Sequence, residues 1–256
     1  MTAAPSARKS RPMATHEKVY GRNAARAVLD TRMEDVVRIA YGVDERGWIG
    51  PYLREAAARR LPYAELDEVG LESLAESLHH EGVILVTRPR RVLDGHALYE
   101  RLVASERFAC IALDGVTNPH NIGAILRTAA FLGIDAVCIH GDAHRAPLTP
   151  AAVRIAEGAA EHIDVARIAD LDAFLRALRQ QGVAVFSADP RGERDAFEVR
   201  WPARTVLVFG SEARGLSPAV EAEIDLRVSI RGTDAVESIN VSVAAGIVMA
   251  AWLRRR

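Results

Sequence analysis

The stretch ALDGVTNPHNIGAILRTAAFLG, residues 112–133, crowds two asparagines, a histidine and an arginine into one turn and the helix after it. A turn that only reverses the chain needs a glycine and little else, so Asn118, His120, Asn121 and Arg127 call for more explanation. Amide side chains donate and accept at once, and arginine presents a planar fork suited to phosphate or carboxylate. A second such stretch is FGSEARGLSP (209–218), where Glu212 stands between Gly210 and Gly215. Its spacing is neither G-x-G-x-x-G nor a loop closed by Gly-Lys-Ser/Thr, which excludes the usual phosphate cradles. The third is SIRGTDAVESINVSVAAGIVMAAWL (229–253), with Ser238 and Asn240 where an irregular loop meets an apolar helix. Taken singly, each stretch has a plain structural explanation as an Asx turn, a strand-to-helix loop or a helix cap. No His, Cys, Asp or Glu group has metal-ligand spacing, so no metal is expected.

The elements that must position these loops follow a strict rhythm from residue 107. Apolar strands are predicted at FACIALD, DAVCIH, GVAVFSAD, RTVLVFG and DLRVSI, with helical segments between them. Thr149-Pro150 and Ser217-Pro218 each place a capping residue before a first-turn proline. Asp170 is expected to cap LDAFLRALRQQ, and Gly182 to end it. Such alternation predicts an α/β fold, a parallel sheet with helices on both faces. Ligands bind these sheets at the carboxyl ends of strands, where the polar turn lies. The helix at 241–253 is apolar nearly all round and must be buried in a core or a subunit interface.

Upstream, GRNAARAVLD (21–30) reads as a helix, DVVRIAYG (35–42) as a strand, and PYLREAAARR (51–60) as a helix opened by Pro51. LESLAESLHH reads as a further helix and GVILVTRP (82–89) as a strand. The expected organisation is a disordered tail over 1–16, a small αβ domain over 17–90, a charged linker over 91–106 and the main domain over 107–256.

Composition sets the bounds. The 256 residues are 49% hydrophobic but only 5% aromatic, enough for a core built from aliphatic side chains. A net charge of -1 announces no polyanion partner. Cys110 and Cys138 sit in apolar runs, as expected of buried free thiols in a reducing compartment. The N-terminus lacks an apolar segment, and the longest apolar run, VAAGIVMAAWL (243–253), falls far short of the roughly 20 residues that span a bilayer. A soluble cytoplasmic protein without membrane contact is expected.

Together and in this order, NIGAILRTA, GSEARGL and ESINVSVAAGI resemble the three signature motifs of the SpoU (TrmH-like) branch of the SPOUT RNA methyltransferases. VYGRNAARAVL and HHEGVILV resemble the L30e-like RNA-binding domain that precedes the catalytic domain in RlmB-type members. The resemblance implies a C-terminal trefoil knot, a homodimer, and transfer of the methyl of S-adenosylmethionine to a ribose 2′-hydroxyl in RNA, ribosomal RNA ahead of transfer RNA. Backbone groups around Gly210, Ile230 and Ile239 would hold the cofactor. Arg127 would act on the 2′-hydroxyl, as a proton acceptor or as a charge clamp, with Asn121, Glu212, Ser238 and Asn240 positioning it. Two departures are visible: Arg231-Gly232 replaces a common Pro-Met, and Ile239 a common Leu. The alternative is an RNA-binding protein that keeps the fold without the activity.

Overall fold

The computed structural model describes residues 16–141, 147–233 and 235–254, so residues 1–15 of the expected tail lie outside the described residues. The front of the chain runs β1 (Glu17–Tyr20), α1 (Arg22–Thr31), β2 (Val36–Tyr41), α2 (Arg46–Ala58), β3 (Tyr63–Glu65), α3 (Glu68–Ala75) and β4 (Val83–Thr87). These strands form one sheet in the order β1-β4-β2-β3, with β4 antiparallel to both neighbours and β3 parallel to β2.

Three expectations for this part need correcting. Helix α2 begins at Arg46, so Pro51 lies inside it rather than opening it. Ile49 is fully buried in its first turns, and the buried Glu45 just before it accepts from Arg22 and from Trp48 Nε1. That anchoring outweighs the one backbone bond a proline removes. Helix α3 begins and ends earlier than LESLAESLHH, because Asp67 caps it (2.9 Å from Gly70 N) and Glu76 takes a left-handed conformation, φ 55°. The stretch read as a linker holds a packed helix, α4 (Gly95–Val103), capped by Asp94 at 2.8 Å from Ala97 N. Its Leu98 and Leu102, four residues apart on one face, are buried beside Phe108 and Ala166.

The rest of the chain runs β5 (Phe108–Asp114), α5 (Pro119–Phe131), β6 (Ala136–His140), α6 (Pro150–Ile155), β7 (Asp164–Ile168), α7 (Leu171–Gln180), β8 (Ala184–Ala188), β9 (Arg194–Asp195), β10 (Arg204–Gly210), α8 (Pro218–Glu221), β11 (Leu226–Ser229) and α9 (Val241–Arg254). The second sheet has the order β7-β6-β5-β10-β8-β11-β9, and every neighbouring pair is parallel. Apolar clusters cover both of its faces. Strands β5 and β10, buried almost throughout, form its centre.

One apolar core continues from Val19 and Leu85 of the front sheet and Val28 of α1 to Leu126 of α5 and Val153 of α6. A buried charge cluster crosses the same seam. Arg32 Nε donates to Glu161 Oε2 at 2.8 Å and its Nη2 to Glu17 Oε1 at 2.8 Å, while Arg90 lies 3.2 Å from Glu161 and 3.3 Å from Glu17.

Candidate active site

The first strand order reversal sets the site. Strand β6 follows β5 on one side, whereas β10 flanks it on the other, so a crevice opens beyond their carboxyl ends. Register pairs Gly210 with Asp114, which brings the first two polar loops side by side.

Asn118 caps α5, its side chain accepting from His120 N at 2.9 Å, and Pro119 follows in the first turn. His120, expected in the turn, instead lies exposed in the first turn of α5, because the cap at Asn118 starts the helix at Pro119. The capping duty thus falls on Asn118 and leaves the amide of Asn121, 8% exposed, for another purpose. That purpose is Glu212. Its Oε1 accepts from Asn121 Nδ2 at 3.2 Å, from Asn240 Nδ2 at 2.8 Å and from Val241 N at 3.2 Å. Asn240 Nδ2 also donates to Asn121 Oδ1 at 2.9 Å. At its other end Asn240 caps α9, Oδ1 accepting from Ser242 N at 2.9 Å and Ser242 Oγ at 2.5 Å. One carboxylate oxygen, placed at a helix N-terminus where negative charge is favoured, therefore pins all three loops together. All three donors fall on the same oxygen, Oε1, which is thereby committed to holding the loops.

The other expected site residues fall around this hub. Gly210 ends β10, and a Cβ there would lie 2.4 Å from the carbonyl carbon of Gly215, so no side chain fits. Ser211 and Gly215 exchange backbone hydrogen bonds (3.1 and 2.8 Å) that close the tight turn around Glu212. Ile230 packs partly buried against the core, whereas Ser238 is exposed and Ile239 is 42% exposed. Arg127 stands apart from the hub. Six residues beyond Asn121 on α5, it is rotated to another face and displaced by roughly 9 Å along the axis. Its side chain is 63% exposed, and its Nη1 lies 4.0 Å from Glu157 Oε1.

Sequence reasoning missed a second pin. Asp114, buried at the end of β5, takes His140 Nδ1 at 2.7 Å on one oxygen and Ser217 N at 2.7 Å on the other. The signal was present, since two polar residues end adjacent apolar strands. Ser217 precedes α8 as expected, but its side chain makes no cap; its backbone N–H serves Asp114 instead. Burial alone would raise the Asp114 pKa, yet the His140 and Ser217 hydrogen bonds hold it below the ordinary carboxylate range. A carboxylate depressed in the folded state stabilises the fold above its unfolded pKa, and that contribution is lost as pH falls through the folded value. Between pH 5 and 3 the Tm of the wild type should therefore drop more steeply than that of Asp114→Asn, which has no such proton to gain. Parallel curves in a differential scanning fluorimetry series would refute the assignment.

Among the described residues no His, Cys, Asp or Glu group could hold a metal ion, and no helix is long and apolar enough to cross a membrane.

The profile of the SpoU rRNA Methylase family matches residues 109–250, which include all three loops of the hub. The chain is 33% identical over 246 residues to the 23S rRNA (guanosine-2'-O-)-methyltransferase RlmB of Pseudomonas aeruginosa, covering 95% of this chain and 98% of that one. It is 32% identical over 246 residues to the uncharacterized tRNA/rRNA methyltransferase YfiF of Escherichia coli O157:H7, covering 96% of this chain and 70% of that one. The fold is similar to that of the SpoU methyltransferase AviRb from Streptomyces viridochromogenes, solved in complex with AdoMet. Their TM-score is 0.75 at 24% identity, over 94% of this chain and 90% of that one. With its family profile matched across the hub and relatives similar along nearly its whole length, the chain belongs to the SpoU rRNA Methylase family.

Proposed function

We propose that the protein transfers the methyl group of S-adenosylmethionine to a ribose 2′-hydroxyl of RNA, with ribosomal RNA as the substrate. The observation that carries this reading is the Glu212 hub, which joins Asn121 and Asn240 at the crevice beyond β5 and β10. The name of the Pseudomonas aeruginosa relative, similar along 98% of its length, supports ribosomal RNA and a 2′-hydroxyl.

The residues present fit such a cofactor. Residues 231–233 and 235–240 lie outside helix and strand, so their backbone N–H and C=O groups can recognise a base edge. Ile230 and the exposed Ile239 supply apolar surface for an adenine, and the closed turn from Gly210 to Gly215 supplies a rigid wall. When bound, S-adenosylmethionine supplies an electrophilic sulfonium methyl. Asn121, Glu212 and Asn240 fix the loops that must hold the ribose in line with it, where orientation lowers the barrier. Ser238, exposed on the third loop, is assigned to ribose contact. Arg127 is a charge clamp, because a guanidinium stays protonated in proteins and stabilises both a phosphate and a developing alkoxide.

Residues 17–90 are read as an L30e-like RNA-binding domain and 107–256 as the catalytic domain. A C-terminal trefoil knot is read from the resemblance of NIGAILRTA, GSEARGL and ESINVSVAAGI to the SpoU signature motifs. A homodimer is supported by α9, which buries Ala245, Met249 and Trp252 but leaves Val243 51% and Leu253 37% exposed. Phe131 at the end of α5, the helix packed on α9, is 87% exposed. Val243→Asp should then shift the protein from dimer to monomer in analytical ultracentrifugation; an unchanged sedimentation coefficient counts against that interface. The cytoplasm is the expected compartment, where the substrate RNA resides.

The function is tested by mass-spectrometric mapping of 2′-O-methyl groups in RNA from cells with and without the gene. Loss of one ribosomal ribose methyl, restored by the purified protein and S-adenosylmethionine in chelator, is expected. Loss of a transfer RNA methyl instead would move the substrate, and an unchanged map in both would refute the activity.

A further inference from the structure

Between α6 and the turn at residues 159–161 the chain takes two successive left-handed conformations, Glu157 (φ 53°) and Gly158 (φ 90°). At Gly158 this is the conformation glycine allows, and a Cβ there would lie 2.8 Å from Ala27 Cβ and 3.2 Å from Asn23 O. The turn is thus pressed against α1 of the front unit. At Glu157 the same conformation ends α6, as Glu76 ends α3, and it turns the chain so that the Glu157 side chain lies between α1 and α5. The Glu157 side chain has two partners. Its Oε2 accepts from Asn23 Nδ2 at 2.6 Å, and its Oε1 lies 4.0 Å from Arg127 Nη1. Glu157 is 25% exposed and fixed, whereas Arg127 is 63% exposed on a long side chain.

We propose that Glu157 is a positioning residue for Arg127, itself held from the front unit by Asn23. The proposal rests on the clamp reading of Arg127 given above. A free arginine spreads over many rotamers, and an anchored carboxylate narrows them before RNA arrives. The contact reaches one terminal nitrogen only, so the remaining guanidinium donors stay available to a phosphate. An exposed ion pair of this length adds little to stability. Its effect therefore falls on orientation, and the front unit is tied to the reacting arginine through one carboxylate.

The test uses the full-length protein, with kcat, KM for RNA, S-adenosylmethionine affinity and Tm measured for each variant. Glu157→Gln should lower kcat about threefold to tenfold, below the roughly 10²-fold that a full 1 Å misplacement can cost, while KM, cofactor affinity and Tm stay put. Asn23→Ala should shift kcat in the same direction by less. In an Arg127→Ala background Glu157→Gln should change nothing further, because residues acting as a unit are not additive. An unchanged kcat in Glu157→Gln overturns the proposal, and so does an equal loss in both backgrounds, which would mark a merely structural role. If Arg127→Ala alone keeps the wild-type rate, the clamp reading fails and takes this proposal with it. A silent Glu157→Gln beside a damaged Arg127→Ala sinks only the proposal.

Discussion

Replacing Arg127 by alanine is expected to lower kcat by about 10²–10³, the scale of removing one preorganised donor from a transition state. Lysine at the same position keeps a cation but loses the planar fork, so Arg127→Lys should retain measurable activity between wild type and alanine. Cofactor affinity should hardly move in either variant, since Arg127 stands apart from the loops at 210–217 and 230–240 and faces solvent. The measurement is single-turnover methyl transfer with labelled S-adenosylmethionine across a pH series. A lysine variant as inactive as alanine at every pH would sink the clamp. A lysine variant whose rate climbs with pH through a lysine titration would instead favour proton abstraction. An alanine variant at the wild-type rate would remove Arg127 from the reaction altogether.

The second large effect is on stability. Glu161 is 6% exposed and meets both Arg32 (11%) and Arg90 (6%) at the seam between the two sheets. Two charges stripped of water need their partner, and breaking a buried pair by removing one side costs on the order of 3–5 kcal/mol. Glu161→Ala should therefore lower Tm by about 6–20 °C in a domain of this size. Glu17→Ala should cost less, because Glu17 is 25% exposed and water can replace it. Equal melting temperatures for wild type and Glu161→Ala, by calorimetry at neutral pH, would show that the cluster contributes nothing net.

Much of this arrangement was legible in the sequence. The continuous apolar runs of β5 and β10 match FACIALD and RTVLVFG residue for residue, because a strand buried on both faces leaves no room for polar interruptions. Strand β7 escaped notice because Asp164 and Arg167 break its pattern at the sheet edge, and β9 is only two residues long. Asn121, Glu212 and Asn240 each had a plain local explanation and stood out only through the three motifs in combination, and the structure joins them. Their mutual hydrogen bonds were not readable, since contacts between residues 91 and 119 apart leave no trace in local spacing. The pairing of Asp114 with His140 was hidden for the same reason, being set by strand register. The separate position of Arg127 follows from helix geometry: six residues cannot return to the same face.

The Glu212 hub also orders events in time. Its donors come from residues 121, 240 and 241, and its acceptor from residue 212. Chains grow from the N-terminus, so Asn121 must wait while more than a hundred further residues are made before its partner amide exists. Contacts of such long sequence separation form late, after loop-closure entropy has been met by the surrounding sheet. A chain ending short of residue 240 holds Asn121 and Glu212 but lacks Asn240 Nδ2 and Val241 N, two of the three donors, and so has no closed hub. Closure of the three loops therefore depends on the start of α9, whose first residue and cap supply two of the three donors.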